Sequence, residues 1–337
     1  MRGQRVAVIG DWMLDRYLWG TANRISPEAA VPVVEFEKQN DRLGGAGNVA
    51  ANLVALGARV EAFGIIGADD AGESLRCECQ RLKFGVKGIL QLKGRPTTVK
   101  TRVMARHQQI VRIDRETRMA LPENRQTELS TRILSALPKM RAVIISDYEK
   151  GVVTDVFAEA IVEACVKRKI PVFIGPKRRI ARLPAYRGAT LVICNRLETE
   201  LLVNHALDSG QAVRSAGRAL LEHFGSSAVV ITRGADGLDL SERDDAEGFH
   251  VPALSQEVPI GALGKAQRET NSGRQVFDVT GAGDTVLAVM ALAFAAGASL
   301  REAAVLGNAA AGVVVSKLGT ATLTSDELSA ILREATG

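Results

Sequence analysis

Short β-branched runs alternate with helical segments along most of this 337-residue chain, and that alternation restricts the fold more than any other feature. The runs are Val6–Ile9, Val60–Ile66, Ala142–Ser146, Val172–Ile174, Leu191–Ile193 and Val229–Thr232. Between them lie amphipathic or alanine-rich segments such as Gly47–Leu56, Ala71–Lys83, Val156–Lys169 and Gln211–Phe224. Parallel strands need a long crossover between them, and a helix supplies it. The pattern therefore predicts an α/β fold of three layers, α/β/α, around a mainly parallel central sheet. Ligands bind at the carboxyl edge of such sheets, so motifs that follow strands carry the functional reading.

Two segments break the alternation. Residues 12–42 and 88–115 hold the strand-like runs Val31–Phe36, Thr97–Met104 and Ile110–Asp114, with no crossover helix after them. They are expected to form a small antiparallel β lid inserted into a single domain spanning 1–337. One face of such a sheet needs cover, from a ligand or from the same sheet of a second copy. Residues 256–274 show weak periodicity and read as an irregular excursion, while Ser325–Glu334 reads as a capped helix.

Composition removes several classes of function. The net charge is +5, and the Lys and Arg are spread along the chain rather than blocked. With two Trp and three Tyr the chain lacks the aromatics of a single-strand stacking platform, so no nucleic-acid partner is expected. The four Cys and four His lack the paired spacing of a metal site. The N-terminus enters Val6–Ile9 without a signal-peptide core, and no apolar stretch reads as a membrane span. A cytoplasmic protein with no membrane partner is the expectation.

Four motifs follow predicted strands or open predicted helices. In Asp278-Val279-Thr280-Gly281-Ala282-Gly283-Asp284, two glycines and a carboxylate precede the apolar, proline-free run Val286–Ala296, which predicts a buried helix. Backbone N–H groups at such a helix start favour an anion, and Asp284 in the first turn is a base beside it. That pairing suits phosphoryl transfer to a hydroxyl. In Leu43-Gly44-Gly45-Ala46-Gly47-Asn48 the glycines admit close backbone approach, and Asn48 offers a donor and an acceptor to sugar hydroxyls. Asn195-Arg196-Leu197-Glu198 opens a helix, and by itself reads equally as a cap. Thr232-Arg233-Gly234-Ala235-Asp236-Gly237 follows the strand Val229–Ile231.

The string DVTGAGDT resembles the signature of the ribokinase-like (PfkB) carbohydrate kinases, and the other three motifs are similar to that family's remaining signatures. The resemblance implies a ribokinase-like fold, ATP as phosphoryl donor and Mg2+ as its counter-ion. It implies that Asp284 is the base and that Gly281, Ala282 and Gly283 form the anion hole. Asp11, Asp15, Gly44, Gly45 and Asn48 would hold sugar hydroxyls. Asn195 would lie near the phosphates, and Glu198 would act on magnesium, through water where needed. Thr232, Gly234 and Gly237 would form the nucleotide loop, with Asn308 and Gly312 at the adenine wall. Backbone carbonyls around Asp278 and Thr280 are where relatives hold K+. A homodimer formed through the β lid is also implied.

Further strings resemble the D-glycero-β-D-manno-heptose 7-phosphate kinases within that family. They include Met13-Leu14-Asp15-Arg16-Tyr17, Arg24-Ile25-Ser26-Pro27-Glu28-Ala29, Thr101-Arg102-Val103-Met104-Ala105-Arg106 and Ser146-Asp147-Tyr148. The implied reaction moves the γ-phosphate of ATP to the anomeric hydroxyl, in ADP-heptose and lipopolysaccharide core synthesis. An acceptor that already bears a phosphate needs cations, and Arg102, Arg106 and Lys177 are the candidates. The chain departs from that pattern at Gly175, where Asp is usual before Pro-Lys, at Cys194 in place of proline, and in the long 256–274 excursion. It ends at Gly337, and no nucleotidyltransferase domain like that fused in bifunctional relatives is expected on it. A PfkB-type kinase for another sugar, such as ribose or fructose, and a catalytically silent sugar- or nucleotide-binding regulator remain the alternatives.

Overall fold

Strand β1 (Arg5–Ile25) is the spine of the molecule, because its two halves belong to different sheets. In the computed structural model, which describes residues 1–106, 108–176, 183–245, 247–253, 279–317 and 319–336, the first half lies at the centre of the main sheet. There it runs parallel to β3 (Arg59–Gly67) on one side and to β7 (Ala142–Asp147) on the other. β4 (Gly85–Leu92) follows β3 outward. On the other side come β8 (Val172–Pro176), β9 (Leu191–Asn195) and β10 (Ala228–Thr232), all parallel. The far edge is closed by two antiparallel strands, β11 (Leu238–Glu242) and β12 (Phe249–Val251). The chain builds outward from β1 in one direction, then returns beside it and builds in the other. That reversal opens a crevice at the carboxyl ends of β1 and β7.

Alternation along each strand fills two cores. Val6 and Val8 join Ala142 and Ile144 in one cluster, with α1 (Ala46–Ala55), α7 (Ala282–Ala295) and α8 (Leu300–Val314). Ala7 and Ile9 join Val143 and Ile145 in the other, with α3 (Glu123–Ala136), α4 (Asp155–Lys167) and α6 (Gly210–Phe224). Successive side chains point to opposite faces, so the centres of β1 (Val6–Ile9) and β7 (Ala142–Ile145) must be apolar on both faces, as they are. Helix α7 is buried from Asp284 to Ala293 and apolar on all sides. It starts at Ala282, ahead of the apolar run, and so carries the glycines on its first turn. The final helix, α9 (Ser325–Thr336), matches the expected capped segment.

The second half of β1 forms the lid. It pairs antiparallel with β2 (Pro32–Gly45), from Trp12 opposite Gly45 to Ile25 opposite Pro32. Its other edge runs parallel to β5 (Thr98–Ala105), and β6 (Gln108–Arg115) closes the lid antiparallel to β5. The lid is therefore two antiparallel ladders joined by a parallel one. One boundary needs correction: residues 88–92, expected in the lid, lie in β4 of the main sheet. α2 (Asp70–Arg81) acts as the crossover that brings them beside β3. The 256–274 excursion lies outside the described residues. Among the described residues no helix is long and apolar enough to cross a membrane.

Candidate active site

A cavity of about 430 Å³ opens at the carboxyl ends of the central strands, lined among others by Tyr148, Gly175, Asn195, Thr232, Gly234 and the run Gly281–Asp284. The first turn of α7 forms its floor. Gly281 caps that helix at φ +84°, a left-handed conformation that suits glycine, and a Cβ there would sit 2.5 Å from Asn48 Nδ2. Its N-cap, Gly281, has no side chain to offer the first N–H groups, and the positive end of the helix faces the cavity. Ala282 departs from its expected role in part, because its N–H turns back to the carbonyl of Val279 at 3.3 Å.

Asp284 is buried and held at both oxygens. Asn48 Nδ2 donates to Oδ2 at 3.0 Å, and the Tyr148 hydroxyl donates to Oδ1 at 2.7 Å. Asn48 is fixed in turn, since Asn52 Nδ2 donates to its Oδ1 at 3.2 Å. The glycine-asparagine turn and the GAGD motif thus meet, although 236 residues separate Asn48 from Asp284. Burial first, and then the nearby Asp284, Asp15 and Glu198 carboxylates, push the Tyr148 phenol well above the ordinary tyrosine range. It stays protonated and acts as a donor.

The residues expected to hold the acceptor divide into two groups. Asp15 lies beside Gly44, where a Cβ would meet Asp15 Oδ2 at 2.4 Å, and Gly45 leads into α1 with φ +56°. Arg102 Nη1 donates to Asp15 Oδ1 with both side chains buried, and its guanidinium lies 5.3 Å from the centre of the Tyr17 ring. Asp11 is placed differently. It is 1% exposed, and its carboxylate accepts the N–H groups of Tyr148, Lys150 and Val152 at 2.7, 3.1 and 3.4 Å. Burial and the neighbouring Asp147 raise its pKa to about 6, against the lowering effect of those N–H groups. Asp11 ties down the loop after β7. Arg106 is exposed at the turn between β5 and β6, with its N–H on the Gly20 carbonyl, and does not line the cavity. Lys177 and Asp278 lie outside the described residues.

On the donor side, α5 (Arg196–Val203) begins with a reciprocal cap. Glu198 N–H donates to Asn195 Oδ1 and Asn195 N–H donates to Glu198 Oε2, each at 2.8 Å. The cap fixes a carboxylate near the cavity, within electrostatic reach of Tyr148. A hard cation that brings phosphate and water ligands needs one or two protein carboxylates, and Glu198 fits that requirement. Among the described residues no three His, Cys, Asp or Glu converge as an all-protein metal cluster. Thr232 and Gly234 line the cavity. Gly237 instead packs against β12, where a Cβ would meet the Val251 carbonyl at 2.1 Å. Asn308 on α8 donates through Nδ2 to the Pro252 carbonyl at 2.8 Å, tying that helix to the end of β12. Gly312, one turn further on, is half-buried, and neither residue is among the cavity's lining. Thr280 directly precedes the left-handed Gly281. Among the described residues, an added Cβ at Gly175 would approach Leu287 Cδ2, at 2.9 Å.

The motif reading missed Tyr148 as a site residue. The available signal was its place just after an apolar strand, in Ser146-Asp147-Tyr148, at the edge where ligands bind. The cysteines carry no comparable signal: burial pushes the Cys79 and Cys165 thiols up to about 12.

Comparison with known proteins gives the family and the fold. The chain is 42% identical over 333 residues to the bifunctional protein HldE of Paramagnetospirillum magneticum, an alignment covering 97% of this chain and 63% of that protein. It is also 42% identical over 334 residues to the HldE of Pseudomonas syringae pv. syringae, covering 98% and 64% respectively. The chain thus spans a little under two thirds of the length of these relatives. Among solved structures, phosphofructokinase-2 from Escherichia coli in complex with substrates and products superposes with a TM-score of 0.77 at 20% identity, covering 99% of this chain and all of that one. Arabidopsis thaliana ribokinase complexed with ribose and ATP gives 0.73 at 17%, covering 99% of each chain. At those identities the likeness is one of fold, which is ribokinase-like. The pfkB family carbohydrate kinase profile matches residues 4–327, and the chain therefore belongs to that family of phosphotransferases acting on sugar hydroxyls.

Proposed function

We propose that this chain transfers the γ-phosphate of ATP to the anomeric hydroxyl of D-glycero-β-D-manno-heptose 7-phosphate, giving the 1,7-bisphosphate for ADP-heptose and lipopolysaccharide core synthesis. The observation that carries phosphoryl transfer is Asp284, held at both oxygens beside the glycine-capped start of α7. Asp284 takes the proton of the attacking hydroxyl. The backbone N–H groups at Gly281 and Gly283 face the charge that develops on the transferred group, and positioning supplies most of the rate. Bound magnesium, with Glu198 beside it, would neutralise phosphate oxygens. The lid strands carry Asp15 and Arg102 to the acceptor side, and a covered acceptor site limits transfer to water.

The choice of heptose 7-phosphate rests on the strings along β1, β5 and the end of β7 that resemble heptose 7-phosphate kinases, together with the similarity to HldE proteins. A PfkB-type kinase for another sugar is the second reading, favoured by Gly175, which leaves the cavity wall without the carboxylate usual in those kinases. A coupled assay of ADP release across heptose 7-phosphate, ribose, fructose and fructose 6-phosphate decides between them. Turnover confined to heptose 7-phosphate is the expected result, and turnover with an unphosphorylated sugar alone would remove it.

A homodimer through the lid belongs to the same reading. Ile25, Phe36, Val111 and Ile113 are exposed on lid strands, where a sheet face in water would carry polar side chains. Sedimentation equilibrium at micromolar concentration should return twice the 35.9 kDa chain mass, and a monomer mass would end this assignment.

A further inference from the structure

We propose that Tyr148 is a positioning residue for the base: its hydroxyl fixes one oxygen of the Asp284 carboxylate, and the loop that carries it is built to hold that hydroxyl in place. The proposal rests on the reading of Asp284 as the base. Tyr148 lines the cavity directly after β7, and its O–H lies 2.7 Å from Asp284 Oδ1 while Asn48 Nδ2 lies 3.0 Å from Oδ2. A carboxylate held at both oxygens cannot rotate about its Cβ–Cγ bond, so its remaining lone pairs keep one direction. A donated hydrogen bond also favours the ionised, basic form. Asp284 from α7, Asp15 from β1 and Glu198 from α5 act on the phenol, and all three keep it protonated.

The loop has more attachments than the end of a strand requires. Asp11 Oδ2 accepts the N–H of Tyr148 at 2.7 Å and that of Lys150 at 3.1 Å. Asp147 Oδ1 accepts the N–H of Glu149 at 3.0 Å, which holds that residue at φ +57°, and Asp147 Oδ2 accepts the Tyr186 hydroxyl at 3.1 Å. Arg95 donates to the carbonyls of Met119 and Lys150, and Lys150 Nζ pairs with Glu116 at 2.7 Å. Gly151 adopts φ +83°, and a Cβ there would meet the Met119 carbonyl at 2.1 Å. A non-glycine residue in the left-handed region persists where its surroundings over-determine it, and such places cluster at active sites. The side chain that this loop delivers to the cavity is Tyr148.

The first test compares Tyr148→Phe with the unaltered protein on the acceptor identified by the sugar panel. Phenylalanine keeps the ring and removes the hydroxyl. The expected result is a kcat lower by about 10- to 100-fold, with KM for ATP and acceptor within about twofold. An unchanged kcat overturns the proposal. A raised acceptor KM at unaltered kcat also overturns it, and makes Tyr148 an acceptor ligand. A second test is independent of turnover. With three tyrosines in the chain, 13Cζ-labelled tyrosine gives a simple NMR spectrum, and Tyr148→Phe assigns the resonance. That resonance should shift in Asp284→Asn. Wild-type turnover with an unmoved resonance removes this proposal alone, whereas a wild type that turns over no sugar removes the base reading and Tyr148's part in it.

Discussion

Asp284→Asn should lower kcat by about 10³-fold while leaving the fold and ATP binding intact. General-base catalysis contributes roughly 10²- to 10⁴-fold, and an amide cannot accept the hydroxyl proton. The surroundings of Asp284 accommodate the amide. Asn48 Nδ2 is a fixed donor, because its own oxygen is engaged by Asn52, so the new carbonyl oxygen faces Asn48. The new NH2 group then faces Tyr148, whose hydroxyl accepts as readily as it donates. Asn48 and Tyr148 each keep a hydrogen bond to residue 284, so thermal unfolding should stay within a few degrees of the unaltered protein. Steady-state kinetics on the active sugar, calorimetric ATP titration and a melting curve together check the prediction. A kcat within tenfold of the unaltered enzyme would remove Asp284 as the base. Lost ATP binding would place the residue on the nucleotide instead.

Much of the architecture was legible because it rests on period and punctuation. The strand and helix runs from Val60 onward fall within one or two residues of their expected bounds, except Val286–Ala296, whose helix starts four residues earlier at Ala282; apolar alternation and caps such as Thr154 and Ser209 are local signals. The first strand was not. Val6–Ile9 reads as a short core strand, yet β1 continues to Ile25, because pairing with β2 and β5 extends it where the local pattern has already changed from two-sided to one-sided burial. Assignment of 88–92 to the lid failed for the same reason: β4 is defined by its neighbour β3, which lies across a helix in sequence.

The site was legible by motif and illegible by partner. Asn48 and Asp284 were each visible as polar residues beside glycines. Their mutual hydrogen bond was not, because contacts at such a separation leave no local trace. Asp11 and Asp15 look alike in sequence, four residues apart on one strand. The lid begins between them, so Asp11 turns to the backbone of the loop after β7 while Asp15 meets Arg102. Gly237, Asn308 and Arg106 have residue types suited to binding, and the structure places them at a strand crossing, a helix tether and a hairpin turn.

Arg102→Met should destabilise the protein by about 3–5 kcal/mol, because it leaves Asp15 charged and buried without its cation. Side-chain exposure is 7% for Arg102 and 4% for Asp15, so water cannot take over the role of the guanidinium. Gly44 backs directly onto Asp15, and its missing Cβ allows an approach that leaves the carboxylate little room to swing away. The cost belongs to the stranded charge and not to the loss of an attractive pair. Neutralising both partners should therefore be far milder than removing one. In Asp15→Asn/Arg102→Met the amide is neutral, the thioether fills the space beside the Tyr17 ring, and most of the lost stability should return. Urea unfolding of both single variants and the double variant gives the coupling energy directly, provided the transitions stay two-state. A single Arg102→Met variant within about 1 kcal/mol of the unaltered protein would mean that the pair is hydrated in solution. Acceptor kinetics on the double variant then separate the two parts assigned to Arg102. If its guanidinium also receives the acceptor's phosphate, stability recovers while the acceptor KM stays high, because the restored fold still lacks the cation that a phosphorylated sugar requires.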